Sequence, residues 1–444
     1  MHTNSIFLTA ARAIALEISR PAFMSLVFEN FDTMNWEDAV PCPCGNTNPE
    51  DFKETLKSLS SHTQELLQEG LLLKLKEEPD TVKYIVRSRF NKWMGCFERN
   101  QFEIKIEEDN VGSGVFSLCC VANHSCVPNA EIIFPASTND ATLVCIRPIS
   151  KGEEICVSYI DEEECYEARI LELRDYGFVC TCVKCETEKR WMEMQIQLAQ
   201  RVITKCDRFD YSKLRYVGGF DISFPEDETS LPSVACFAVL SYPDFQVVFE
   251  NCEEVFLKEV YISGFLAFRE AGICEMMLKK VPLEYKPDIL LLDGSGILHP
   301  RKCGLASHVG VVCDIPTIGI SKKLLKVDGL NRNQVKSLVK ANLSKGLRET
   351  ELVGKSKQLW GIAYVPPSAK NAVYVSIGHR IDLRTSMEIV RASCRKTRIA
   401  APIRHCDLTS RKLVRILEHQ AQQPEKDSSK KSSVISEEEE DEEM

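Results

Sequence analysis

The sequence contains no long hydrophobic run. None of its uninterrupted apolar stretches reaches the roughly 18 residues that a membrane-spanning helix needs. The first twenty residues predict an amphipathic helix rather than a secretory leader, because Arg12, Glu17 and Arg20 interrupt the apolar residues. We therefore expect the 20 cysteines to be reduced thiols in an intracellular protein, of the cytoplasm, the nucleus or both, with no membrane partner.

The hydrophobic and charged fractions of the chain as a whole are ordinary. The 444 residues are 44% hydrophobic and 27% charged, which is close to the globular average and excludes a wholly disordered or collagen-like chain. Because a chain of this length exceeds one ordinary domain, we expect two or three folded units and their linkers.

Charge is distributed unevenly along the chain. Residues 1–191 carry 19 Lys and Arg against 31 Asp and Glu, residues 192–423 carry 33 against 25, and residues 424–444 carry 3 against 9. Within the middle segment, residues 301–415 hold 23 bases and only 7 acids. Such a density attracts polyanions at long range, so nucleic acid is the first partner to consider, with a solvated basic surface as the alternative.

Changes in the hydrophobic pattern divide the chain into four segments. Residues 1–110 predict a helical region, and residues 111–190 predict short strands, a charged helix and a cysteine cluster. Residues 192–420 begin with three strands and then alternate strands with helices, which predicts an α/β fold with a mixed sheet and flanking helices. Residues 421–444 form an acidic tail that we expect to be disordered and to bind a protein partner.

Three acids in the basic segment lie where polar residues are least expected. Asp221 interrupts one β-like run, and Glu270 and Asp293 end two others. A carboxylate that leaves an apolar strand is partly desolvated unless a cation meets it. Mg²⁺ held by carboxylates and by substrate phosphate would meet this demand, so the pattern predicts a divalent-metal site. The alternative is that each acid caps a helix or a turn.

Other residues of this segment are suited to complete such a site. The loop 293–301 contains Gly294 and Gly296, whose backbone N–H groups can approach a ligand without interference from a side chain. Lys322 follows a strand and His379 ends one, so we expect both at one edge of the sheet, where α/β sites usually lie. The alternatives are a solvated lysine and a buried structural histidine.

The motifs of the basic segment resemble, in the same order, those of the endonuclease V family. They are VGGFDISF (217–224), VYISGFLAFRE (260–270), PDILLLDGSGILHPRKCGLASHVGV (287–311), PTIGISKKLLKVDG (316–329) and YVSIGHRIDL (374–383). The likeness covers about 192–420. It implies a ribonuclease H-like fold and hydrolysis, with Mg²⁺ or Mn²⁺, of a phosphodiester near the deaminated purine inosine in single-stranded RNA or DNA.

The resemblance also implies roles for individual residues. The family's metal-binding carboxylates match Asp221, Glu270 and Asp293. Lys322 matches its lysine near the scissile phosphate, and His379 matches its active-site histidine. Tyr261 matches the tyrosine that wedges open the strand; Val260 and Ser263 stand where many bacterial members have prolines, which favours RNA over duplex DNA. The positions that line the pocket for the extruded base are Gly294, Gly296, His299 and Gly319.

A group of cysteines lies in the acidic first half. Cys180, Cys182 and Cys185 form a CxCxxC array, whose tight spacing suits thiolates that converge on one ion. Three sulfurs leave tetrahedral Zn²⁺ one ligand short, and Cys126 in NHSCVPN is the candidate for the fourth. The alternative is a chance cluster of reduced cysteines.

The motifs NHSCVPNAE and GEEICVSYID, with the cysteine array, resemble the C-terminal half of the SET domain of the SET-and-MYND lysine methyltransferases, over about 111–188. The likeness implies that Asn123 and His124 contact S-adenosylmethionine, and that the four cysteines hold zinc. It makes Tyr159 the catalytic tyrosine and places Phe178 near the adenine. Nothing upstream of residue 111 resembles the first SET strands and their glycine-rich loop, so we expect a truncated domain with little cofactor binding or methyl transfer.

Three functional hypotheses follow. The first is a metal-dependent nuclease that acts on inosine-containing nucleic acid, and five motifs in register favour it. The second is a protein-lysine methyltransferase, and the third is a non-catalytic protein whose acidic segments serve as docking or autoinhibitory surfaces. Cofactor demand separates the three: Mg²⁺-dependent nicking, methyl transfer to a lysine peptide, or neither.

Overall fold

The computed structural model describes residues 100–106, 109–114, 116, 119–135, 140–207, 209–257, 259 and 261–421. The helical region expected upstream and the expected acidic tail therefore lie almost wholly outside the described residues. The chain divides into two compact units, Met1–Glu188 and Lys189–Met444, and each is described by itself. In the described part, no helix combines the length and the apolar character that crossing a membrane requires.

The first unit consists of short strands and a compact helical segment. Its strands are β1 (Phe102–Ile106), β2 (Asp109–Gly114), β3 (Asn123–His124), β4 (Ala130–Ile133), β5 (Thr142–Cys145) and β6 (Cys156–Val157). They pair two by two: β1 with β2 and β4 with β5 are antiparallel, and β3 with β6 is parallel. Two helices follow, α1 (Tyr166–Leu173) and α2 (Val183–Gln200), of which α2 extends into the second unit.

The second unit alternates strands and helices. Its strands are β7 (Tyr216–Ser223), β8 (Ser233–Ser241), β9 (Val247–Val255), β10 (Ile289–Leu292), β11 (Thr317–Ser321), β12 (Glu349–Val353), β13 (Leu359–Tyr364) and β14 (Val373–His379). Its helices are α3 (Leu266–Lys280), α4 (Leu305–Cys313), α5 (Arg332–Ser344), α6 (Leu383–Ser393) and α7 (Ala401–Ala421).

One mixed sheet of eight strands organises this unit, in the order β12-β13-β14-β11-β10-β7-β8-β9. The three central strands β7, β10 and β11 are parallel, and the remaining neighbours are antiparallel. This arrangement confirms the predicted mixed sheet with flanking helices.

Helices cover both faces of the sheet, which explains the continuous apolar runs of its central strands. Leu291 points to the face covered by α6 and α7, where it packs in a cluster with Met387 and Ile403. Leu290 and Leu292 point to the other face and pack in a cluster with residues of α3 and α4. Because β10 is buried on both sides, a polar residue that directly follows it lies at the rim of a dry core.

Two elements differ from the sequence-based expectation. Glu270 does not end a strand but lies within α3, whose buried positions Ala267, Ala271, Cys274 and Leu278 are spaced four, three and four residues apart. Spacing of this kind is helical. The short apolar run before the glutamate was interpreted as a strand because a run of that length fits either element. The strand β12 was not expected, because its alternating acids give it the composition of a loop.

Candidate active site and metal centres

Acidic side chains gather at the edge of the sheet where the parallel strands end. In β7 and β10, Phe220 lies beside Leu292. Asp221 and Asp293 come directly after these paired residues, so they occupy neighbouring positions at this edge. Glu270 joins them from α3, and only 9% of it is exposed.

These carboxyls act on one another through their charges. Burial raises the pKa of Asp221 to about 8, and the charges of Asp293 and Asp407 push it in the same direction. Burial likewise raises the pKa of Glu270 to about 8, with contributions from Asp221 and Asp293. Groups that resist ionisation in this way have too little positive charge nearby, so the site favours a bound cation.

The donor set fits a hard divalent cation, since all its ligand atoms are carboxylate oxygens, which Mg²⁺ and Mn²⁺ prefer. The oxygens do not converge closely in this structure. Within the described residues, the group of possible ligand atoms that all lie within 4.8 Å of one another is a set of four cysteine sulfurs. The carboxylates are thus coupled in charge without forming an equally tight cage, as expected for like charges that repel one another.

Asp407 is a member of this acidic group that sequence reasoning missed. It lies on α7, more than a hundred residues after Asp293, and its charge helps to raise the pKa of Asp221. Arg411, one turn later on the helix, lies 2.7 Å from its Oδ1. The sequence did offer a signal, the scarcity of acids in this segment: residues 301–415 contain 23 bases and only 7 acids, and Asp407 is one of the seven.

Lys322 brings a positive charge to the same edge. Its Nζ lies 2.5 Å from Oδ2 of Asp293. Burial alone would lower the pKa of Lys322, but the neighbouring charge of Asp293 outweighs this and the pKa is raised. Arg398 fixes the backbone at the lysine. Its guanidinium donates to the carbonyl oxygens of Lys322, at 3.3 Å, and of Ala372, at 2.8 Å.

His379 lies away from this group, so the expectation that it shares an edge with Lys322 is wrong. The strand β14 is antiparallel to β11 and pairs His379 with Thr317, the first residue of β11. The histidine therefore lies at the opposite edge of the sheet. There its Nδ1 accepts a hydrogen bond from the backbone of Ile203 at 3.2 Å, and its Nε2 lies 3.8 Å from Asp314. It is 2% exposed, as a structural histidine would be.

The glycines after β10 are already engaged within the protein. The backbone N–H of Gly294 donates to the Leu292 carbonyl, and that of Gly296 donates to Ser376 Oγ at 2.9 Å. These N–H groups are not available to a ligand, contrary to expectation. A Cβ on Gly296 would lie 1.9 Å from the Ile377 carbonyl oxygen, so close backbone packing alone requires glycine there.

Gly319 packs in the same way, since a Cβ on it would lie 2.3 Å from the Gly296 nitrogen. Beside Gly294, a Cβ would meet the Leu305 side chain at 3.0 Å. The base-pocket role that the family resemblance implies for the three glycines stays a prediction.

Tyr261 is 64% exposed and precedes a turn that other residues hold firmly. The turn contains Gly264 at a φ of +86°, and its carbonyl oxygen accepts hydrogen bonds from Gln195 Nε2 at 3.0 Å, His299 Nε2 at 3.0 Å and Arg301 Nη2 at 3.2 Å. Sequence reasoning assigned His299 to the base pocket. The structure shows the histidine bound to the turn that presents the tyrosine.

In the first unit, four cysteine sulfurs converge. The ligand atoms of Cys126, Cys180, Cys182 and Cys185 all lie within 4.8 Å of one another. Cys126 Sγ lies 3.5 Å from Cys185 Sγ and 4.0 Å from Cys180 Sγ. Tetrahedral Zn²⁺ with Zn–S bonds of about 2.3 Å separates its sulfurs by roughly 3.8 Å, so this set fits zinc.

The thiols of this cluster share hydrogen bonds, which lower the pKa of Cys182 well below that of an ordinary thiol. A buried cation stands beside them. Arg169 Nη2 lies 3.7 Å from Cys185 Sγ and 3.0 Å from Glu188 Oε2, and the side chains of this ion pair are each 1% exposed. The cluster therefore combines a thiol of lowered pKa with a buried guanidinium, which favours metal binding.

Aromatic rings surround the SET-like residues. The ring of Tyr159 lies 5.3 Å from that of His124 and 6.3 Å from that of Phe178. Its hydroxyl donates to the Ala122 carbonyl at 2.7 Å, and burial raises its pKa to about 12. Asn123 is exposed on β3, immediately before the histidine. The structure thus brings together three of the residues that the SET resemblance singles out, His124, Tyr159 and Phe178, and Asn123 adjoins His124 in the chain.

Comparison with known proteins decides the family of the second unit. The family model for Endonuclease V matches residues 196–408. Endonuclease V of Mus musculus is 38% identical over 240 residues, which are 52% of this chain and 70% of the mouse protein. The chain belongs to the endonuclease V family. Endonuclease V of Homo sapiens is 36% identical over 241 residues, 52% of this chain and 84% of the human protein.

A solved endonuclease V structure agrees with this assignment. The crystal structure of Ciona intestinalis endonuclease V, in complex with a 24mer DNA containing an inosine followed by a ribo-adenosine, matches with a TM-score of 0.50 and 34% identity, over 52% of this chain and 98% of that chain. The predicted family and fold are confirmed, and the chain is an endonuclease with a nucleic-acid substrate. Members of the endonuclease V family generally use a divalent metal.

The first half of the chain shows a second family likeness. The SET domain model matches residues 28–160. The predicted SET likeness is confirmed, but the expectation that nothing upstream of residue 111 resembles this domain is wrong. The upstream likeness does not depend on a glycine-rich loop, since residues 28–110 contain only three widely separated glycines.

Proposed function

We propose that the endonuclease V unit hydrolyses a phosphodiester near inosine in single-stranded RNA or DNA, with Mg²⁺ or Mn²⁺ held by Asp221, Glu270 and Asp293. The observation that carries the proposal is the coupled group of buried carboxyls at one edge of the sheet, two of which have a pKa raised to about 8. The related Ciona protein in complex with inosine-containing DNA supports the choice of substrate.

Each group of the site has a role in this chemistry. The divalent cation, when bound, supplies polarisation of the phosphoryl oxygens and a nucleophile of lowered pKa. Asp221 and Asp293, on neighbouring strands that the sheet keeps in register, would hold it. Lys322 remains protonated beside Asp293 and offsets the negative charge that develops on the phosphoryl group.

Tyr261 is placed to fill the gap that an extruded base leaves. Its ring is 64% exposed, and the turn that follows is fixed by three hydrogen bonds to the Gly264 carbonyl. An exposed aromatic ring on a fixed turn can replace the stacking of a displaced purine. Because Ser263 lies in this turn where many bacterial members have proline, we propose that single-stranded RNA is preferred to duplex DNA.

The test is a cleavage assay of the full chain on single-stranded RNA and DNA, each with inosine or adenosine at one position, with Mg²⁺ or with EDTA. We expect cleavage of the inosine strands with Mg²⁺ alone. Asp293→Ala and Glu270→Gln should abolish cleavage and largely retain binding. Glu275→Gln on the same helix should cut normally, because Glu275 is paired with Lys279 away from the site. Equal cleavage of the inosine and adenosine strands, or normal cleavage by Asp293→Ala, would contradict the proposal.

A second candidate function is protein-lysine methyl transfer with S-adenosylmethionine in the first unit. One observation favours it: the rings of His124, Tyr159 and Phe178 lie together, in a region that overlaps the SET match. Calorimetry with S-adenosylmethionine and a methyl-transfer assay on lysine peptides test it. Micromolar cofactor binding would establish a working site, and its absence would leave the unit as a zinc-bearing module.

We propose zinc as the ion of the cysteine cluster and an intracellular location for the chain. All seventeen cysteines in the described residues are free thiols, which supports a reducing compartment. Metal analysis of the purified full chain tests the first proposal, and imaging of a tagged chain tests the second. The acidic tail is the proposed docking segment for a protein partner.

A further inference from the structure

A face of the endonuclease V unit carries positive charge that no acidic side chain of the described residues neutralises. The segment 322–348 contains eight bases and one acid. The acid, Asp328, is already engaged, because its carboxylate accepts hydrogen bonds from the backbone of Ser356 and from Trp360 Nε1 at 2.9 Å. We call the exposed cations of α5 and its entry loop the α5 basic face: Lys323, Lys326, Arg332, Lys336 and Lys340.

Several cations on other helices of this unit have acidic partners. Lys279 lies 2.6 Å from Glu275 on α3, and Lys280 lies 2.7 Å from Glu253 on β9. On α6 and α7, Arg391 and Arg411 are likewise paired with acids. By contrast, no member of the α5 basic face forms an ion pair with any residue that the structure describes.

Repulsion between the cations of this face destabilises the protein when no anion is bound. Arg332, Lys336 and Lys340 follow one another at intervals of four residues, so they line one side of α5 and repel each other. At a rise of about 1.5 Å per residue they extend over roughly 12 Å, the length of several phosphates on a strand. A groove of about 560 Å³, lined by residues 326–333, continues this charged side toward the entry loop.

The face is fixed relative to the cleavage site. The loop that enters α5 begins at Lys322, whose Nζ lies 2.5 Å from Asp293. Val335, on the inner side of α5, packs in one buried cluster with Leu324 and Trp360. The loop and the helix therefore form a rigid extension of the active site rather than a separate lobe.

We propose that the α5 basic face binds the phosphate backbone of the substrate strand beyond the nucleotides that occupy the active site. The inference rests on the proposed single-stranded substrate. Evenly spaced cations suit a chain of evenly spaced anions, whereas a folded protein partner would need an apolar centre in the interface. The face thus contributes affinity and strand orientation without reading the base sequence.

The test compares two full-chain variants that each lose two positive charges. Lys336→Gln with Lys340→Gln removes cations of the α5 basic face, and Lys279→Gln with Lys280→Gln removes paired cations of α3. Binding of a short and a long inosine-containing single strand is measured by fluorescence anisotropy over a range of salt, with EDTA present to prevent cleavage.

For the long strand, we expect the slope of log Kd against log salt to fall by about 1.4 in the α5 variant, or about 0.7 per lost contact. The short strand and the α3 variant should behave as the wild type does. An unchanged slope, or an equal fall in both variants, would overturn the proposal. If the α5 variant binds the strand more tightly than the wild type, the α5 basic face binds the acidic tail instead of the strand. That result would also overturn the proposal.

This outcome is independent of the proposed nuclease specificity. If the wild type fails to cut inosine strands with Mg²⁺, the proposed function fails, yet the slope experiment still reports whether this face binds a strand. If cleavage occurs and the slopes do not differ, only the strand-binding role fails.

Discussion

The ammonium group of Lys322 lies 2.5 Å from Oδ2 of Asp293, and this ion pair joins the ends of two adjacent parallel strands. Lys322 also receives support through its backbone carbonyl, which accepts a hydrogen bond from Arg398. A lysine held in this way keeps its charge and its position when a phosphate approaches. The pairing of the two strands therefore sets the position of a cation beside a carboxylate of the proposed metal site.

Asp407 should prove as important for cleavage as the acids that the motifs reveal. Its charge acts on Asp221, so Asp407→Asn removes one negative charge from the cation site. We expect divalent-metal affinity to fall about 10- to 100-fold, with a matching rise in the metal concentration that cleavage requires. Glu418→Gln, eleven residues further along the same helix, should cut normally. Wild-type metal dependence in Asp407→Asn would remove this residue from the site.

Gly296→Ala should destabilise the endonuclease V unit whether or not substrate is present. The new Cβ would lie 1.9 Å from the Ile377 carbonyl oxygen, so two backbone segments must move apart. The expected cost is about 1–3 kcal/mol, measured as a lower urea midpoint. Gly272→Ala in α3 is the control, because a Cβ there meets nothing within 4 Å and improves helix propensity. Equal midpoints for the two variants would contradict the packing account.

His299 should make the unit less stable in acid. Burial, aided by the charge of Arg301, lowers its pKa to about 4, while an unfolded histidine titrates near 6.5. Between these values the unfolded chain binds the extra proton, so the stability that the neutral histidine provides is complete above about pH 6.5 and is lost as pH falls through about 4. The largest effect is about 3 kcal/mol.

The measurement is the urea midpoint of wild type and His299→Gln between pH 7 and pH 4. The midpoint of the variant should fall less steeply with acid. His308 is also buried with a pKa lowered to about 4, and it is present in both proteins, so the difference between them isolates His299. Parallel curves would show that His299 is not neutral in the folded state.

Arg169 should strengthen metal binding by the cysteine cluster. Its guanidinium lies 3.7 Å from Cys185 Sγ and pairs with Glu188, and both side chains are 1% exposed. Arg169→Met should weaken zinc binding about 10- to 100-fold in a chelator competition, and Arg169→Lys should restore part of it. The charge-transfer absorption of the Co²⁺-loaded chain should shift in the methionine variant. Unchanged affinity and an unchanged spectrum would contradict this role.

Much of the central architecture could be predicted from the sequence. The apolar run that Asp221 interrupts and the run that Asp293 ends identified two buried strands and their acids, because a strand buried on both faces is continuously hydrophobic. The cysteine spacing likewise identified three members of the sulfur cluster, and NHSCVPN supplied the fourth.

Other features could not be predicted because they depend on contacts between distant segments. The direction of β14 in the sheet decides that His379 lies at the opposite edge, and no local pattern encodes that direction. Asp407 belongs to an ordinary amphipathic helix, and only its packing against β7 brings it to Asp221. Arg398 acts through a backbone carbonyl, which leaves no mark in the sequence around Lys322.

Direct titration of the full chain with Mn²⁺, followed by electron paramagnetic resonance alongside cleavage of an inosine-containing strand, tests most directly whether the carboxylates hold the ion that cleavage needs. We predict that the wild type binds Mn²⁺ and cuts over the same concentration range, and that Asp221→Asn with Asp293→Asn loses both. A double variant that binds Mn²⁺ and cuts as well as the wild type would contradict the account.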